Sequence, residues 1–552
     1  MLKIIKVSHP AVLFFALIIN YTVFAQNKSN IGNSVEHPKL VVGIVVDQMK
    51  YEYLFRYYSK FGNEGFKRLL NEGFFCGNTH FNYVPTNTAP GHACIYTGAT
   101  PSVNGIIGNE WYGKMTKDTI YCTGDPNVET VGSNSDAGKM SPQNLISTTI
   151  TDELKYSNNF KSKVIAISMK DRGAILPGGR SADAAYWYDG ATGNWITSTY
   201  YMKELPAWVN DFNTQKLSDK YLSQKWNTLL PIDQYTESTE DNNEYEETFK
   251  GEMSPVFPHD LPSLRGNNFD LLRKTPFGNS LTKDLAMAAI KSENLGKSNY
   301  TDFLAVSFSS TDYIGHQFGT NAIETEDCYL RLDKDIEDFL KFIDATFGKN
   351  NVLVFLTADH GASPNVTYLS EHKIAAGTFT TKTLGDLVNY RLKNEYGFDS
   401  MVSCIMNDQV YLNHDLIKEK KMKLKEVSNS VAKILNGING ISEVVTAQQL
   451  SDHLFTEGTI SKIQRGYSQS RSGDVMYVLD PGLVEHKSKG TTHGSGYNYD
   501  THVPLIWYGW KIAHGSSFNP VNTVDIAATL AALLHIEFPN GCSGTPIPEV
   551  VK

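Results

Sequence analysis

Aspartate and histidine residues follow three of the apolar runs of this 552-residue sequence, and a further histidine, His493, stands just before the last run. Taken singly, each is explained by a turn, a helix cap or a surface ion pair. Ligand sites in open α/β sheets, however, gather at the carboxyl ends of strands, where these residues are expected to lie. Three aspartates and three histidines supply two sites of mixed nitrogen and oxygen ligands, a composition that suits zinc at both. The six residues are Asp47, Asp312, His316, Asp359, His360 and His493.

A threonine in the stretch YVPTNTAPGHACIYTG adds a nucleophile to this set. The simplest interpretation of Thr88 is a helix N-cap, with Pro90 in the first turn, where its missing N–H costs nothing. A second interpretation is catalytic, because a hydroxyl at a helix N-terminus faces backbone N–H groups that bind phosphate. Two zinc ions about 4 Å apart would clamp a phosphoryl group there and hold Thr88 as an alkoxide.

Two basic residues follow the apolar run VIAIS, in the order Met-Lys-Asp-Arg. In an extended segment Lys170 and Arg172 point the same way, while Asp171 points away. Alone, such a segment is typical of a solvent-exposed salt-bridge cluster. Beside a di-zinc centre it becomes a clamp for a dianion, since arginine can bind two oxygens at once.

The elements that must position these residues are short, apolar, β-branched runs. Such runs are typical of strands buried on both faces, and amphipathic stretches such as 323–347 lie between some of them. The pattern predicts an α/β fold with a mainly parallel sheet. Regions of different composition at roughly 178–279, a cap, and 363–487 interrupt it, so we expect one domain over 26–552 with two insertions. The runs are 40–46, 164–168, 303–309, 352–357 and 503–508.

Composition narrows the possible functions. A net charge of −9 gives no general basic surface, so no nucleic-acid-binding surface is expected.

The first residues combine early lysines, a short apolar run and Val23-Phe24-Ala25. This pattern predicts a signal peptide over 1–25 cleaved near Ala25, with an uncleaved anchor as the alternative. No later segment is apolar enough to cross a bilayer. Six cysteines without a CxxC pair leave disulfide pairing open.

At these residues the chain resembles the alkaline phosphatase superfamily, and within it the PafA-like bacterial enzymes that use a threonine nucleophile. The resemblance covers about residues 40 to 510 and implies a three-layer α/β sandwich with a mainly parallel central sheet and inserted cap regions. The matching stretches, in family order, are VVGIVVDQM, NYVPTNTAPGHACIYTG, NGIIGNEWY, ISMKDRGAILPGG, FSSTDYIGHQFG, LTADHGAS and THGSGYNYDTHVPLIWYG.

The resemblance also implies a role for each site residue. Thr88 would be the nucleophile, and Asn109, Lys170 and Arg172 would bind the phosphoryl oxygens. The zinc beside Thr88 would be held by Asp47, Asp359 and His360. The zinc at the leaving-group oxygen would be held by Asp312, His316 and His493. The implied activity is hydrolysis of small phosphate monoesters by an exported, periplasmic or secreted enzyme with two Zn²⁺ per chain, through a phosphothreonine.

Other functions are compatible with the same fold. A phosphodiesterase of the nucleotide pyrophosphatase kind shares the threonine and the metals, but its singly charged phosphoryl group does not need both Lys170 and Arg172. A sulfatase requires a cysteine or serine at the position of Thr88. A non-catalytic glycan-binding surface protein would use the Tyr- and Trp-rich cap, and its signature would be a lost ligand or nucleophile. The monoesterase is the favoured hypothesis.

Overall fold

The computed structural model describes residues 36–485 and 487–552. Residues Pro38–Lys552 form one compact unit. The predicted signal peptide over 1–25 lies outside the described residues. Within the described part of the chain, no helix is both long and apolar enough to cross a membrane.

The centre of the fold is a large sheet that contains ten strands in the described part of the chain. Its order is β14-β2-β13-β8-β1-β7-β4-β5-β6-β3. A second sheet of four strands has the order β9-β10-β12-β11. The strands are β1 Leu40–Val46, β2 Phe74–Cys76, β3 Thr130–Val131, β4 Val164–Ser168, β5 Ala184–Asp189, β6 Asn194–Ser198, β7 Asp302–Phe308, β8 Val352–Thr357, β9 Val402–Met406, β10 Gln409–Leu412, β11 Ile441–Thr446, β12 Val475–Leu479, β13 Leu505–Gly509 and β14 Gly515–Ser517.

The middle of the large sheet is parallel, as the apolar runs predict. Strand β1 pairs in parallel with both β7 and β8, and β4 continues the parallel order beyond β7. All residues of β1 are buried, which explains the absence of polar alternation in LVVGIVV. The last apolar run forms β13, which is antiparallel to β8, so the sheet is mixed at its edges.

Helices connect the strands and carry several site residues. Helix α6 follows β7 directly, and α3 follows β4, so the first turns of both helices lie at the carboxyl end of the parallel strands. The helices of eight or more residues are α1 Thr88–Thr97, α2 Ile150–Ser157, α3 Asp171–Gly178, α4 Ala207–Thr214, α5 Phe277–Ser292, α6 Ser310–Phe318, α7 Ile323–Phe347, α8 Thr381–Tyr396, α9 Leu424–Leu435, α10 Gly458–Gly466 and α11 Asp525–Leu534.

The four-stranded sheet has a hydrophobic core of its own. Helices α8 and α9 pack on it through residues such as Val388 and Val431, which are fully buried together with Val410 of β10. The main core, in contrast, is built on the large sheet.

The structure also answers the question of cysteine pairing, because all six cysteines are free thiols.

Candidate active site

Thr88 is the first residue of α1, and its hydroxyl points towards side chains of other elements. The N-cap position belongs to Asn87. The Thr88 Oγ1 lies 3.5 Å from His360 Nε2 and 3.3 Å from Lys170 Nζ. The N-cap interpretation of Thr88 is therefore wrong, and the helix start serves to present a hydroxyl to a buried cluster.

Two glycines allow the backbones around the cluster to meet. A Cβ atom on Gly91 of α1 would lie 2.2 Å from the carbonyl oxygen of Asp359. A Cβ atom on Gly361 would lie 2.2 Å from the carbonyl oxygen of Tyr499. Any larger residue would push these segments apart, so the glycines bring Thr88 against the end of β8, where the chain bends at Asp359.

Asp47, Asp359 and His360 form a first group of candidate metal ligands. Their ligand atoms lie within 4.8 Å of one another, and all three residues are fully buried. His360 Nε2 is 3.5 Å from Asp47 Oδ1 and 3.5 Å from Asp359 Oδ2. Neither carboxylate oxygen accepts a hydrogen bond within the described residues. Buried carboxylate oxygens without a donor are unfavourable unless a cation binds them, so the geometry fits a metal ion.

Asp312 is the centre of a second group. Its ligand atom lies within 4.8 Å of those of His360 and His493. The Nε2 atoms of His316 and His493 are 3.2 Å and 3.6 Å from Asp312 Oδ1. The rings of His360 and His493 are stacked with centroids 3.5 Å apart, which joins the two groups into one centre. The six predicted ligands are thus brought together.

The three histidines are oriented alike by the backbone. Each Nδ1–H donates to a carbonyl oxygen: His360 to Gly361 at 2.9 Å, His316 to Thr491 at 2.8 Å and His493 to Thr86 at 2.8 Å. This tautomer leaves the lone pair of each Nε2 directed into the centre. Histidines that hold metals in proteins are oriented in this way by a partner on the other ring nitrogen.

Burial is the main cause of the pKa shifts of His360, His493 and Asp359. It lowers the pKa of His360 to about 3 and lowers the pKa of His493 well below its usual range. It raises the pKa of Asp359 well above its usual range, and the charge of Asp47 adds to that shift. The charge of Asp312 instead raises the pKa of His316, against the effect of burial. Neutral imidazoles such as those of His360 and His493 are the form in which histidine binds a metal ion.

Lys170 lies between the two groups of ligands. Its Nζ is 2.7 Å from Asp47 Oδ2 and 2.6 Å from Asp312 Oδ2, and it is 5.0 Å from the centroid of the Tyr313 ring. Burial opposes ionisation of Asp312, but His316 and Lys170 hold the pKa of that carboxyl well below its usual range. The lysine therefore contacts the candidate ligands themselves as well as the Thr88 hydroxyl.

The sequence suggested an extended segment after β4. In the structure Asp171 instead begins α3, and Lys170 is the N-cap residue of that helix. Asp171 accepts hydrogen bonds from the hydroxyls of Tyr121 and Thr123. The Arg172 Nη1 donates to the Tyr121 hydroxyl at 2.9 Å, while its Nε is buried without an acceptor among the described residues. Asp171 and Arg172 therefore share the Tyr121 hydroxyl, whereas Lys170 contacts Thr88.

Asn109 is fixed through its carbonyl oxygen. Its Oδ1 accepts the backbone N–H of Ala89 at 2.8 Å, one residue after Thr88. That bond assigns the Oδ1 side of the amide to the helix start and leaves the Nδ2 donors for another acceptor near the same position.

Sequence reasoning missed Gln48. Its backbone N–H donates to Asp359 Oδ1 at 3.1 Å, and its side-chain Nε2 donates to Asp312 Oδ1 at 2.7 Å. It adopts a left-handed backbone conformation with φ of 63°, and its Oε1 lies so close to Gly315 that a Cβ atom there would be 1.9 Å away. The sequence signal was its position directly after Asp47, but its contacts are long-range and cannot be derived from spacing.

Comparisons of the sequence with known proteins point to one family. Residues 41–503 match the family model described as type I phosphodiesterase / nucleotide pyrophosphatase. A protein of Myroides odoratus named calcium-transporting ATPase is 49% identical over 94% of this chain and 96% of its own length. Alkaline phosphatase PhoV of Synechococcus elongatus is 48% identical over 94% of each chain. Alkaline phosphatase PafA of Elizabethkingia meningoseptica is 46% identical over 94% of this chain and 95% of its own.

The fold of the chain also matches that of a solved relative. The crystal structure of wild-type alkaline phosphatase PafA superposes with a TM-score of 0.92, at 46% identity, over 94% of this chain and 100% of the other. The chain belongs to the type I phosphodiesterase / nucleotide pyrophosphatase family and, within it, to the alkaline phosphatases of the PafA and PhoV kind. The resemblance and the α/β fold class predicted from the sequence are both confirmed.

Proposed function

We propose that this alkaline phosphatase is an exported, zinc-dependent phosphomonoesterase that hydrolyses small phosphate monoesters through a phosphothreonine at Thr88. One observation carries the proposal. The Thr88 hydroxyl lies at a helix start, 3.5 Å from the Nε2 of a candidate metal ligand and 3.3 Å from an ammonium group. A nucleophile, candidate metal ligands and a cation for the substrate charge thus meet at one buried point.

The ligand set fits two zinc ions. Each group offers carboxylate oxygens and imidazole Nε2 atoms, the ligand types that zinc accepts in catalytic sites. Asp47, Asp359 and His360 would hold the ion next to Thr88. The second ion would be held by the remaining three ligands, Asp312, His316 and His493. When bound, the ions supply Lewis acidity that lowers the pKa of coordinated hydroxyl groups and offsets charge on phosphoryl oxygens.

The chain's own residues account for binding and group transfer. Thr88 Oγ1 attacks phosphorus and loses its proton, the bond from phosphorus to the alcohol oxygen breaks, and the alcohol leaves with a proton. Water then cleaves the phosphothreonine and restores the hydroxyl, so that one ester and one water give one alcohol and one phosphate. The Nδ2 of Asn109 is directed to a non-bridging oxygen by the bond that its Oδ1 makes to Ala89.

Charge favours a monoester over a diester. A monoester phosphoryl group carries nearly two negative charges; Lys170 is a buried cation 3.3 Å from the Thr88 hydroxyl, and the half-buried Arg172 follows it by two residues. A diester carries one such charge and a second substituent. The family description includes diesterases, so phosphodiester hydrolysis is the alternative that must be measured beside it.

Exchanging Thr88 for alanine tests the nucleophile. We expect Thr88→Ala to lose most hydrolysis of an aryl phosphate monoester while its melting temperature stays near that of the wild type. Thr97→Ala is a matched control, because Thr97 is a buried threonine of the same helix whose hydroxyl donates only to backbone carbonyls. Trapped phosphate on wild-type protein, located by mass spectrometry, identifies the intermediate. Undiminished turnover in Thr88→Ala, with phosphate on another residue, would refute the mechanism.

The remaining parts of the chain complete the proposal. Residues 26–552 form one catalytic domain, with insertions at roughly 178–279 and 363–487; the separate core of the four-stranded sheet supports the second boundary. Residues 1–25 act as a signal peptide cleaved near Ala25, so the mature enzyme is periplasmic or secreted. N-terminal sequencing of the exported protein tests the cleavage position.

A further inference from the structure

A groove runs from the active site along the four-stranded sheet. Its volume is about 1070 Å³, including its open mouth, and His493 and Asn87 form part of its wall. His493 is a candidate ligand of the leaving-group side, and Asn87 directly precedes the nucleophile. The groove is large enough to hold a small organic group beside a bound phosphate.

The walls of the groove suit a carbon skeleton. The side of β12 and α10 contributes Met476 and Ile463, and Tyr467 and Tyr497 pack against the same cluster. Tyr477 borders the groove as well, but its side chain packs into the core of the four-stranded sheet and is only 2% exposed. Aliphatic and aromatic side chains of this kind bind the apolar part of a ligand, and aromatic faces also attract a cation.

A tight turn fixes one carboxylate in the groove. Asn407 and Asp408 join β9 to β10 with φ angles of 53° and 57°, the left-handed pair of a two-residue hairpin turn. Asn407 Nδ2 donates to the carbonyl oxygen of Glu110 at 2.8 Å, and the Asp408 carbonyl accepts the Tyr477 N–H at 3.0 Å. The turn is thus tied to the residue after Asn109 on one side and to the groove wall on the other.

The charge of the groove is negative. Asp408 and Glu485 both line it, and none of the described lining residues is a lysine or arginine. Burial raises the pKa of the Asp408 carboxyl to about 7, and the charge of Glu485 adds to the shift, as expected if the two carboxylates lie near each other. A second phosphate in the groove would be repelled, whereas a positive group would be attracted.

We propose that this groove binds the alcohol part of the substrate and that Asp408 and Glu485 favour alcohols carrying a positive charge, such as quaternary amino alcohols. The inference rests on the proposed function, because attack by Thr88 expels the alcohol from the opposite side of phosphorus, towards the ligand set that includes His493. Tyrosine rings and two carboxylates together recognise an ammonium group, by cation–π attraction and by charge.

Two esters of equal shape test the inference. Phosphocholine and 3,3-dimethylbutyl phosphate differ by a charged nitrogen in place of a carbon. The measured quantity is the ratio of their kcat/KM values in the alkaline range, where both carboxylates are ionised. We expect the wild type to favour phosphocholine by about tenfold, and the Asp408→Asn, Glu485→Gln double variant to bring the ratio to about one. Glu426→Gln is the control that should keep the wild-type ratio, because Glu426 is an exposed residue of α9 that pairs with Lys423.

The outcomes separate this inference from the function on which it rests. A wild type that hydrolyses neither ester would refute the proposed function and the inference with it. A wild type that hydrolyses both esters, with a ratio that the double variant leaves unchanged, would overturn the inference alone. The single variants guard against misfolding of the double variant, since Glu485 is exposed and we expect Glu485→Gln, checked by its melting temperature, to lower the ratio by severalfold.

Discussion

Two buried clusters of acids and histidine in this molecule have opposite chemistry. In the active site the Nδ1–H of His360, His316 and His493 donates to a backbone carbonyl, which directs each Nε2 towards the candidate metal centre. At the other cluster, His259 contacts Glu252 at 2.8 Å through Nδ1 and Glu324 at 3.1 Å through Nε2. Both nitrogens of His259 are thus occupied by carboxylates. The same residue types give a candidate metal-ligand set in one place and an ion pair in the other.

The pKa values express this difference. Burial lowers the pKa of His360 to about 3, so its imidazole is neutral. Burial alone would also lower the pKa of His259, but hydrogen bonds to Glu252 and Glu324 raise it to about 9. Groups of ligand atoms close enough to hold an ion occur, within the described residues, at the active site and not around His259. In these two clusters the candidate ligands bind a backbone carbonyl through Nδ1, whereas His259 is the counter-ion of two carboxylates.

Removing a carboxylate from each cluster should produce the largest contrast. We expect Asp359→Ala to lose bound zinc and to reduce kcat/KM by roughly a thousandfold or more, because the Lewis acid contributes several kcal/mol. Glu252→Ala should retain the wild-type zinc content. Elemental analysis beside a monoester assay checks both variants. Zinc loss from Glu252→Ala, or full activity of zinc-free protein, would contradict the division between the clusters.

Lys170 and Arg172 should contribute far more to the turnover of monoesters than to the turnover of diesters. Charge-assisted contacts contribute about 1.5–3 kcal/mol each, so the Lys170→Ala, Arg172→Ala double variant should lose monoester turnover on the order of a hundredfold or more. Diester turnover should fall much less, because a diester lacks the second charge. Matched aryl mono- and diesters provide the measurement. An equal proportional loss on both would indicate general binding or folding, and would favour the diesterase alternative.

Gln48 should act on metal affinity rather than on chemistry. Its side chain donates to Asp312 at 2.7 Å, so Gln48→Leu should weaken metal binding by about 10- to 100-fold, the usual effect of losing a group that orients a ligand. Competition with a chelator measures this directly. Gln464→Leu is the control, because Gln464 bonds only to backbone groups away from the centre. Unchanged metal affinity in Gln48→Leu would remove the positioning role.

His259 should affect stability and leave catalysis alone. Its folded pKa of about 9 lies above the ordinary 6.5, so its stabilising contribution is complete below pH 6.5 and is lost as pH rises through 9. We expect His259→Gln to cost about 3–5 kcal/mol of unfolding free energy at neutral pH, because it leaves buried carboxylates unpaired. The pH dependence between 6.5 and 9 should flatten, as denaturant titrations would show. Altered zinc content would instead connect this cluster to the active site.

Much of the fold follows from local pattern. The runs LVVGIVV, VIAIS, FLAVSFS and VLVFLT predict strands because they are continuous and short, and the structure places the four in neighbouring positions of a parallel sheet. The antiparallel direction of β13 was not predictable from its composition. The four-stranded sheet was not predicted either, because its region was described by its helical segments alone, and β12 pairs with β10 and β11 over long sequence distances.

The sequence by itself determined the residue types of the site, since five of the six ligand candidates follow recognisable apolar runs, His493 stands just before the last run, and Thr88 lies at the start of a recognisable helix. Tertiary structure decided what those residues do. The Nδ1 bonds of the histidines, the contact of Lys170 with Asp47 and Asp312, and the bridging position of Gln48 all join segments more than a hundred residues apart or depend on local backbone direction. Protonation and ligand geometry depend on burial and on distances of a few ångströms, and one-dimensional spacing contains neither.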